Sequence, residues 1–312
     1  NTKNFSMAIE TKMRQDKIYA KLDDKEIRKK TLEGKLKRED CDDKDVFEFL
    51  QLLKRPEKAG RTEFRPMEKD DWTKVVKKAS KRSASSFFSK INYAMHKMTL
   101  TNERMTNLLI KFYNMIIAVQ FFPNRWLKTL VVMIEKGKGP VLGKLRTIQL
   151  IEADLQLLMR IFVNTRNKGS IETDERISKS NYGSRPGYSI QDAILEKRLV
   201  FDNSLVTGQH SIYAMTDLQA AYDRQLSKIG SIVQESVGVE AKPIMLITKI
   251  MPMMENYVCT AFGVSKECYG GRNRKLAGTG QGNVVSGNIC RDSSCLILKN
   301  IEHRNLGVAI KS

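Results

Sequence analysis

The segment GTGQGNVVS, residues 278–286, constrains the fold more strongly than any other part of the sequence. Its glycines permit a tight backbone turn that larger residues would hinder, and the residues after it can continue as a helix. Upstream, the apolar run 212–215 predicts a strand that ends at Asp217, the first residue of DLQAAYD. The sequence thus predicts that one fold contains both a carboxylate at the end of a strand and a tight turn formed by glycines. Either motif alone is weak, because a strand-end Asp is often only a cap or turn residue.

The charge of the chain narrows the class of partner. Its 312 residues include 54 Lys and Arg against 35 Asp and Glu, which gives a formal net charge of +19. An excess of this size favours polyanionic partners, nucleic acid first among them, and argues against an enzyme of small neutral metabolites. The alternative for a single run of charge is that Lys and Arg only solvate helix surfaces.

Cysteine usage and hydropathy favour a reducing, intracellular location. The 5 cysteines form no CxxC pair, so neither a disulfide framework nor a zinc ribbon is expected. No apolar run reaches the roughly eighteen residues that a membrane span needs, and no apolar signal region opens the sequence. The chain begins at Asn1 without Met, and we expect it to be part of a longer protein.

Helical patterns dominate the first part of the chain. Residues 1–100 predict a basic, helical and partly disordered N-terminal extension, because charges alternate densely along its first half. Apolar residues at helical spacing predict one helix over 72–98. A second helix is predicted over 103–122, with Thr101 or Asn102 as its N-cap and Pro123 as its breaker.

After Pro123 the pattern becomes that of a β-hairpin. Short apolar and β-branched runs at 130–134 and 145–150 predict two strands, and the residues between them form a turn-rich, basic loop. Further elements follow downstream: a helix over 152–163, a turn-rich loop over 181–189, a helix over 190–201 and a helix over 288–298.

In this order, the motifs resemble those of reverse transcriptases, which are RNA-directed DNA polymerases, and are most similar to those of non-LTR retroelements. The resemblance covers residues 123–298. The strands WLKTLVVMIEKG and RTIQL resemble the family's fingers hairpin, in which a Lys and an Arg grip the incoming triphosphate. The resemblance implies these roles for Arg146 and for either Lys136 or Lys138. Thr147 stands where the family usually has Pro.

The segment YGSRPGYSIQDA, residues 182–193, resembles the loop and helix that contact the template in this family. The resemblance implies template or primer binding by Arg185, Gly187 and Ser189. Outside this order of motifs, a loop of the same composition would be an ordinary turn.

DLQAAYD resembles motif A of the family. The resemblance implies that Asp217 is the catalytic carboxylate and binds metal, together with the backbone carbonyl of Leu218. It also implies that Tyr222 lies below the sugar of the incoming nucleotide, where its ring would exclude a ribose 2′-hydroxyl and select deoxynucleotides. For Asp223, an alternative interpretation is the N-cap of a helix that contains Leu226.

GTGQGNVVSG resembles motif B. Gln281 and Gly282 are implied to lie near the nucleotide, and Gly278 and Ser286 near the template or primer. Gly287 replaces the Pro that is usual after this Ser. The implied cofactor is Mg²⁺ or Mn²⁺, with two ions expected only in the complete enzyme, and the implied partners are an RNA template, a DNA primer and deoxynucleoside triphosphates.

The family completes its metal site with a Tyr-x-Asp-Asp hairpin after motif B, and the 312 residues contain no such motif. Without that second carboxylate pair the two-metal arrangement cannot form. We therefore expect a fragment of a retrotransposon reverse transcriptase that has no polymerase activity by itself. The alternatives are a non-catalytic, basic nucleic-acid-binding remnant and a fragment of an RNA-dependent RNA polymerase. Tyr222 argues against the RNA polymerase.

The fold class that follows is α+β. We expect a helix-rich right-hand polymerase core, with fingers and a partial antiparallel palm sheet. The expected organisation has three parts: the N-terminal extension 1–100, a fingers region over 101–205 and a partial palm with motifs A and B over 206–312.

Overall fold

The computed structural model of the chain describes most of its residues. The described residues are 24–41, 44–55, 63–86, 88–89, 91–135, 137, 145–166, 176–210, 212, 213, 215, 217 and 221–304. Within them, the helices in chain order are α1 (Lys25–Leu32), α2 (Lys44–Gln51), α3 (Lys69–Lys78), α4 (Tyr93–Thr99), α5 (Glu103–Val119), α6 (Ala153–Met159), α7 (Ile190–Thr207), α8 (Ala221–Arg224), α9 (Ser227–Ser236), α10 (Ala241–Ile250) and α11 (Val284–His303). The strands are β1 (Lys128–Ile134), β2 (Arg146–Leu150), β3 (Glu255–Thr260) and β4 (Gly263–Gly270).

The four strands form one small mixed sheet in the order β2-β1-β3-β4. The pairs β1/β2 and β3/β4 are antiparallel, and the central pair β1/β3 is parallel. The fold is therefore helix-rich with one small sheet, and the predicted α+β class is confirmed at this level. The expectation of an antiparallel sheet was wrong for the central pair. A parallel pair needs a long crossover, and the helices between β1 and β3 supply it.

The predicted hairpin is confirmed as β1 and β2. Leu130 lies opposite Leu150, and Ile134 lies opposite Arg146. Val131 is fully buried, as expected for a β-branched residue on the inner face of a sheet. Lys136 and Lys138, in the connection, lie outside the described residues.

The predicted helices are confirmed with shifted bounds. The Asn102 side chain accepts a hydrogen bond from the Met105 backbone N–H at 3.0 Å and caps α5, as predicted. The helix ends at Val119 rather than at 122, because Gln120 adopts a left-handed conformation with φ of 56°. The single helix expected over 72–98 is two helices, α3 and α4, and α6 continues into a π-helical turn, Arg160–Thr165.

The principal core is formed by helices α3 to α6, α10 and α11 together with segments that join them. Its largest fully buried side chains include those of Trp72, Tyr113, Trp126 and Phe162. A second cluster joins the N-terminal helices to the later ones, since Leu32 and Leu50 pack with Ile232. The N-terminal residues from Asp24 onward are thus integrated with α9 and α11.

The segment before Asp217 differs from its prediction. Ile212, Tyr213 and Met215 lie outside any strand, and the side chains of Ile212 and Met215 are 98% and 82% exposed. Local apolar character does not by itself provide a partner strand, and none of the described strands pairs with these residues. Within the described part of the chain, no helix is long and apolar enough to span a membrane.

Candidate active site

The glycine turn is fixed at both ends. Asn283 caps α11 by accepting a hydrogen bond from the Val285 N–H at 2.9 Å. The Ser286 hydroxyl, in the first turn of α11, donates to the Thr279 carbonyl at 2.6 Å. The helix therefore begins at Val284, four residues before the predicted start at 288, and Gly287 lies inside it. The sequence signal for this earlier start was the N-cap residue Asn283.

A side chain of α6 clamps the same turn. The Gln156 amide Nε2 donates to the Gly282 carbonyl at 3.0 Å, and its Oε1 accepts from the Val284 N–H at 3.2 Å. Both hydrogen bonds are to backbone groups, so they fix the path of the turn rather than a side chain. Sequence reasoning did not select Gln156. A Gln within a buried helix that is otherwise apolar apart from Asp154 was the available signal.

The turn lies between motif A and the strand RTIQL. On one side, the Thr279 N–H donates to the Tyr222 carbonyl at 2.8 Å. On the other side, the Gln149 N–H in β2 donates to the Gln281 carbonyl at 2.6 Å. The structure therefore brings together three segments that the sequence analysis selected independently.

Glycine is required at three positions of this turn. Gly278, Gly280 and Gly282 have φ of +102°, +69° and +110°, which L-residues rarely adopt. A Cβ at Gly278 would lie 2.9 Å from the Cα of Asp223, and one at Gly282 would lie 2.6 Å from the Gln149 carbonyl oxygen. The glycines thus allow both neighbouring segments to contact the turn through their backbones.

A small polar hollow lies where these segments meet. Its volume is about 80 Å³. Burial and, after it, the negative charge of Asp223 raise the pKa of Tyr269. The hydroxyl of Thr279 is buried there and has no hydrogen-bond partner in the described structure. The polar residues that line the hollow are Thr147, Gln149, Asp223, Asn256, Tyr269, Thr279 and Gln281.

A hydrogen-bond network on the sheet orients Gln149 toward the turn. The Gln149 amide Nε2 donates to Asn256 Oδ1 at 2.8 Å, and the Thr129 hydroxyl donates to the same oxygen at 2.8 Å. Asn256 in turn donates to the Met254 carbonyl at 3.1 Å. Sequence reasoning missed this network because its members lie on three strands, whose alignment the sequence does not specify.

Asp217 borders a different hollow from the glycine turn. Its side chain is exposed, and the hollow beside it, of about 490 Å³, is also lined by Arg224, Gln225 and Ser293. Gln225, two residues after DLQAAYD, binds α11, because its Nε2 donates to the Ile289 carbonyl at 3.1 Å and to the Ser293 hydroxyl at 2.6 Å. Leu218 lies outside the described residues. Asp223 is part of α8, so it does not cap the helix that follows.

Asp217 is a hard oxygen donor, which suits Mg²⁺. Within the described ranges, however, no group of three or more His, Cys, Asp or Glu side chains is close enough to hold a metal ion. Among the described residues that line this hollow, Asp217 is the one carboxylate that could hold such an ion.

The loop YGSRPGYS is held by its own arginine. The Arg185 Nη1 donates to the carbonyls of Ser178 and Asn181 at 3.0 and 2.9 Å, and the guanidinium lies 3.8 Å from the centre of the Tyr188 ring. The Arg185 side chain is buried by these contacts, so it organises the loop. Template contact by Arg185 stays a prediction. Gly187, with φ of +80°, supplies the turn.

Ser189 begins α7. Its hydroxyl accepts from the Asp192 N–H at 3.3 Å, and its own N–H donates to Asp192 Oδ2 at 2.8 Å, which completes a capping box. The Ser189 hydroxyl also donates to Asp192 Oδ2 at 2.8 Å, and this bond first, followed by the one from the Ser189 N–H, lowers the pKa of Asp192. The loop contacts α11 where the Asn181 amide donates to the Arg291 carbonyl at 3.0 Å. Arg146 lies at the start of β2 with its side chain exposed.

Comparison with known proteins adds no relative: no protein-family model matches the chain, and no curated protein is similar to it. A functional conclusion thus depends on the motifs and on their arrangement in space.

Proposed function

We propose that the chain contains the fingers and part of the palm of a reverse transcriptase, and that its glycine turn borders the site of the incoming nucleotide. One observation carries this proposal: the turn forms backbone hydrogen bonds both to Gln149 of RTIQL and to motif A at Tyr222. In the family that the motifs resemble, these are the segments that surround the nucleotide.

In the proposed site, the three glycines let the backbone of the turn pack directly against Gln149 and Asp223. This close packing fixes the position of the turn at the edge of the nucleotide site. Gln281 and Gly282 contribute to the nucleotide side. Ser286 contributes indirectly, because its buried hydroxyl is bonded to the Thr279 carbonyl and holds the turn in place.

Charge and shape define the other sides of the proposed site. The exposed Arg146 is available to a triphosphate, and Tyr222 supplies the ring that selects deoxynucleotides. Asp217 would supply one carboxylate to the magnesium or manganese ions of the complete enzyme, which would lower the pKa of the primer hydroxyl and neutralise the triphosphate.

The test is whether a templated nucleotide stabilises the complex of the chain with a primer–template. The dissociation rate of a labelled DNA primer on an RNA template is measured with the next complementary deoxynucleotide, and then with a mismatched one. We expect slower dissociation with the complementary nucleotide alone. In the Tyr222→Ala variant, the complementary ribonucleotide is expected to slow dissociation as well.

A second candidate function is a non-catalytic nucleic-acid-binding remnant, and the net charge of +19 favours it. That remnant would bind primer–template with a steep dependence on salt, but no nucleotide would change the dissociation rate. The same outcome would contradict the reverse transcriptase proposal.

A further inference from the structure

A compact basic surface lies outside the candidate active site. We define the Phe122 surface by Phe122, Lys249, Arg272, Arg274 and Lys275. The Arg272 guanidinium carbon and the Lys249 Nζ each lie 5.9 Å from the centre of the Phe122 ring. The ring is nearly buried, so it positions the two cations by cation–π contact rather than offering a face to a ligand.

The Arg272 side chain and the backbone of the basic turn are held in place by the fold. The Arg272 Nη2 donates to Asn124 Oδ1 at 2.6 Å. The turn that carries the basic residues is fixed at both ends, by the Arg274 N–H to the Gly271 carbonyl at 3.1 Å and by the Leu276 N–H to the Pro252 carbonyl at 2.9 Å. Immobilised side chains lose less entropy when they bind a ligand.

In the described part of the chain, Arg272, Lys249 and Lys275 form no ion pair with a carboxylate. Other exposed cations do, as Lys35 does with Glu33 at 2.9 Å. Like charges gathered around one ring repel each other, and an anionic ligand would relieve this repulsion.

The position of the surface indicates which anion it binds. The turn 272–275 connects the end of β4 directly to the glycine turn, and all four of its residues are exposed. Lys249 reaches the same place from α10, whose exposed face is formed by Lys242, Met245 and Lys249. Because the next residue, Leu276, lines the hollow at the glycine turn, the basic turn lies at the edge of the proposed nucleotide site.

We propose that the Phe122 surface binds the sugar–phosphate backbone of the nucleic-acid strand outside the active site. This inference rests on the proposed function in one respect, namely that the substrate is nucleic acid. Arg and Lys are suited to phosphate because their hydrogen bonds to it are charge-assisted. Such contacts are independent of base sequence and weaken with salt.

The test compares two pairs of charge removals. The binding of a labelled single-stranded RNA is measured by fluorescence anisotropy over a range of salt concentrations. The double variant Lys249→Ala/Arg272→Ala removes the unpaired cations, and Lys35→Ala/Lys44→Ala removes the same charge from residues paired with Glu33 and Glu48. Thermal melts check that both variants fold, and Arg272→Lys serves as a charge-preserving variant.

We expect the first pair to weaken binding about tenfold and to reduce the salt slope by about 1.4, since each phosphate contact contributes roughly 0.7 on single strands. The control pair and Arg272→Lys are expected to keep the full slope. Equal losses of affinity in both double variants would overturn the inference about this surface but would not contradict the proposal that the chain binds nucleic acid. If the wild-type chain binds no RNA, both this inference and the proposed function fail. The inference would also be overturned if Lys249→Ala/Arg272→Ala weakened binding to anionic lipid vesicles but bound RNA as the wild type does.

Discussion

The glycine turn contacts the sheet most closely where Gly280 meets the side chain of Gln149. A Cβ on Gly280 would lie 1.7 Å from the Oε1 of Gln149, which is less than any non-bonded contact allows. The Gln149 side chain is held in this position by its hydrogen bond to Asn256. The contact therefore couples the conformation of the turn to the hydrogen bonds of the sheet.

Gly280→Ala should destabilise the protein, and Gly287→Ala should not. Gly280 combines a φ of +69° with the contact to Gln149, and we expect a loss of about 1–3 kcal/mol in the free energy of unfolding. Gly287 lies in α11, and nothing surrounds the position of its Cβ. Alanine there should be neutral or stabilising by up to about 1 kcal/mol. Urea denaturation checks both, and equal effects would contradict the assigned role of the turn.

A double-mutant cycle isolates the contact of Gly280 with Gln149. Gln149→Ala removes the atom that Gly280→Ala would strike, so the double variant should be less destabilised than the sum by about 0.5–3 kcal/mol. The control cycle pairs Gln149→Ala with Gly282→Ala. A Cβ at Gly282 would meet the backbone oxygen of Gln149, and Gln149→Ala leaves that oxygen in place. Coupling of the same size in both cycles would contradict the geometry.

Arg125 should matter far more to stability than an exposed arginine does. It pairs with the fully buried carboxylates of Glu152, at 3.0 Å, and of Asp154. Arg125→Met leaves both charges buried, at an expected cost of about 3–5 kcal/mol. Arg198→Met, which breaks the exposed pair with Asp202, should cost less than about 1 kcal/mol. Similar losses from the two substitutions would contradict the buried network.

His96 should make the protein sensitive to acid. It is fully buried beside Trp72, neither ring nitrogen has a hydrogen-bond partner in the described structure, and burial lowers its pKa to about 4 from an ordinary value of 6.5. The unfolded chain binds the proton first as pH falls, so stability decreases from pH 6.5 toward pH 4. Asp154, which favours the charged ring, and Arg125, which disfavours it, act on His96 less than burial does.

His96→Phe removes this proton and keeps an aromatic ring against Trp72. Between pH 6.5 and 4, the wild type should lose on the order of 3 kcal/mol more than the variant. Glu152 acts in the opposite direction, since burial first and the charge of Asp154 next raise its pKa to about 6. Because both proteins contain Glu152, its contribution cancels in the comparison. Parallel pH profiles would contradict the assignment to His96.

Local signals predicted the elements whose causes are local. Asn102 is an N-cap as the sequence indicated, and the β-branched residues around Val131 form the predicted strand. Apolar character alone predicted a strand at Ile212 and Met215, and this was wrong because a strand also needs a neighbour with which to pair. The break between α3 and α4 was missed because both helices have apolar faces toward one core.

Contacts between distant residues were beyond prediction from local patterns. The N-terminal helix α1 is fixed by the Arg28–Glu235 ion pair, 2.6 Å long and formed across most of the chain. The Gln149–Asn256 hydrogen bond likewise depends on strand order. The motifs predicted which segments carry the candidate site, but not that Asp217 and the glycine turn border separate hollows.

The most direct test of the central claim locates the nucleotide. A photoreactive deoxynucleotide complementary to the template is crosslinked in the primer–template complex, and the modified peptides are identified by mass spectrometry. Adducts are expected on residues 146–149, 222–223 or 277–282, with a reduced yield in Gly280→Ala and an unchanged yield in Gly287→Ala. Adducts that lie only outside these segments, or that do not depend on the template base, would contradict the claim that the glycine turn borders the nucleotide site.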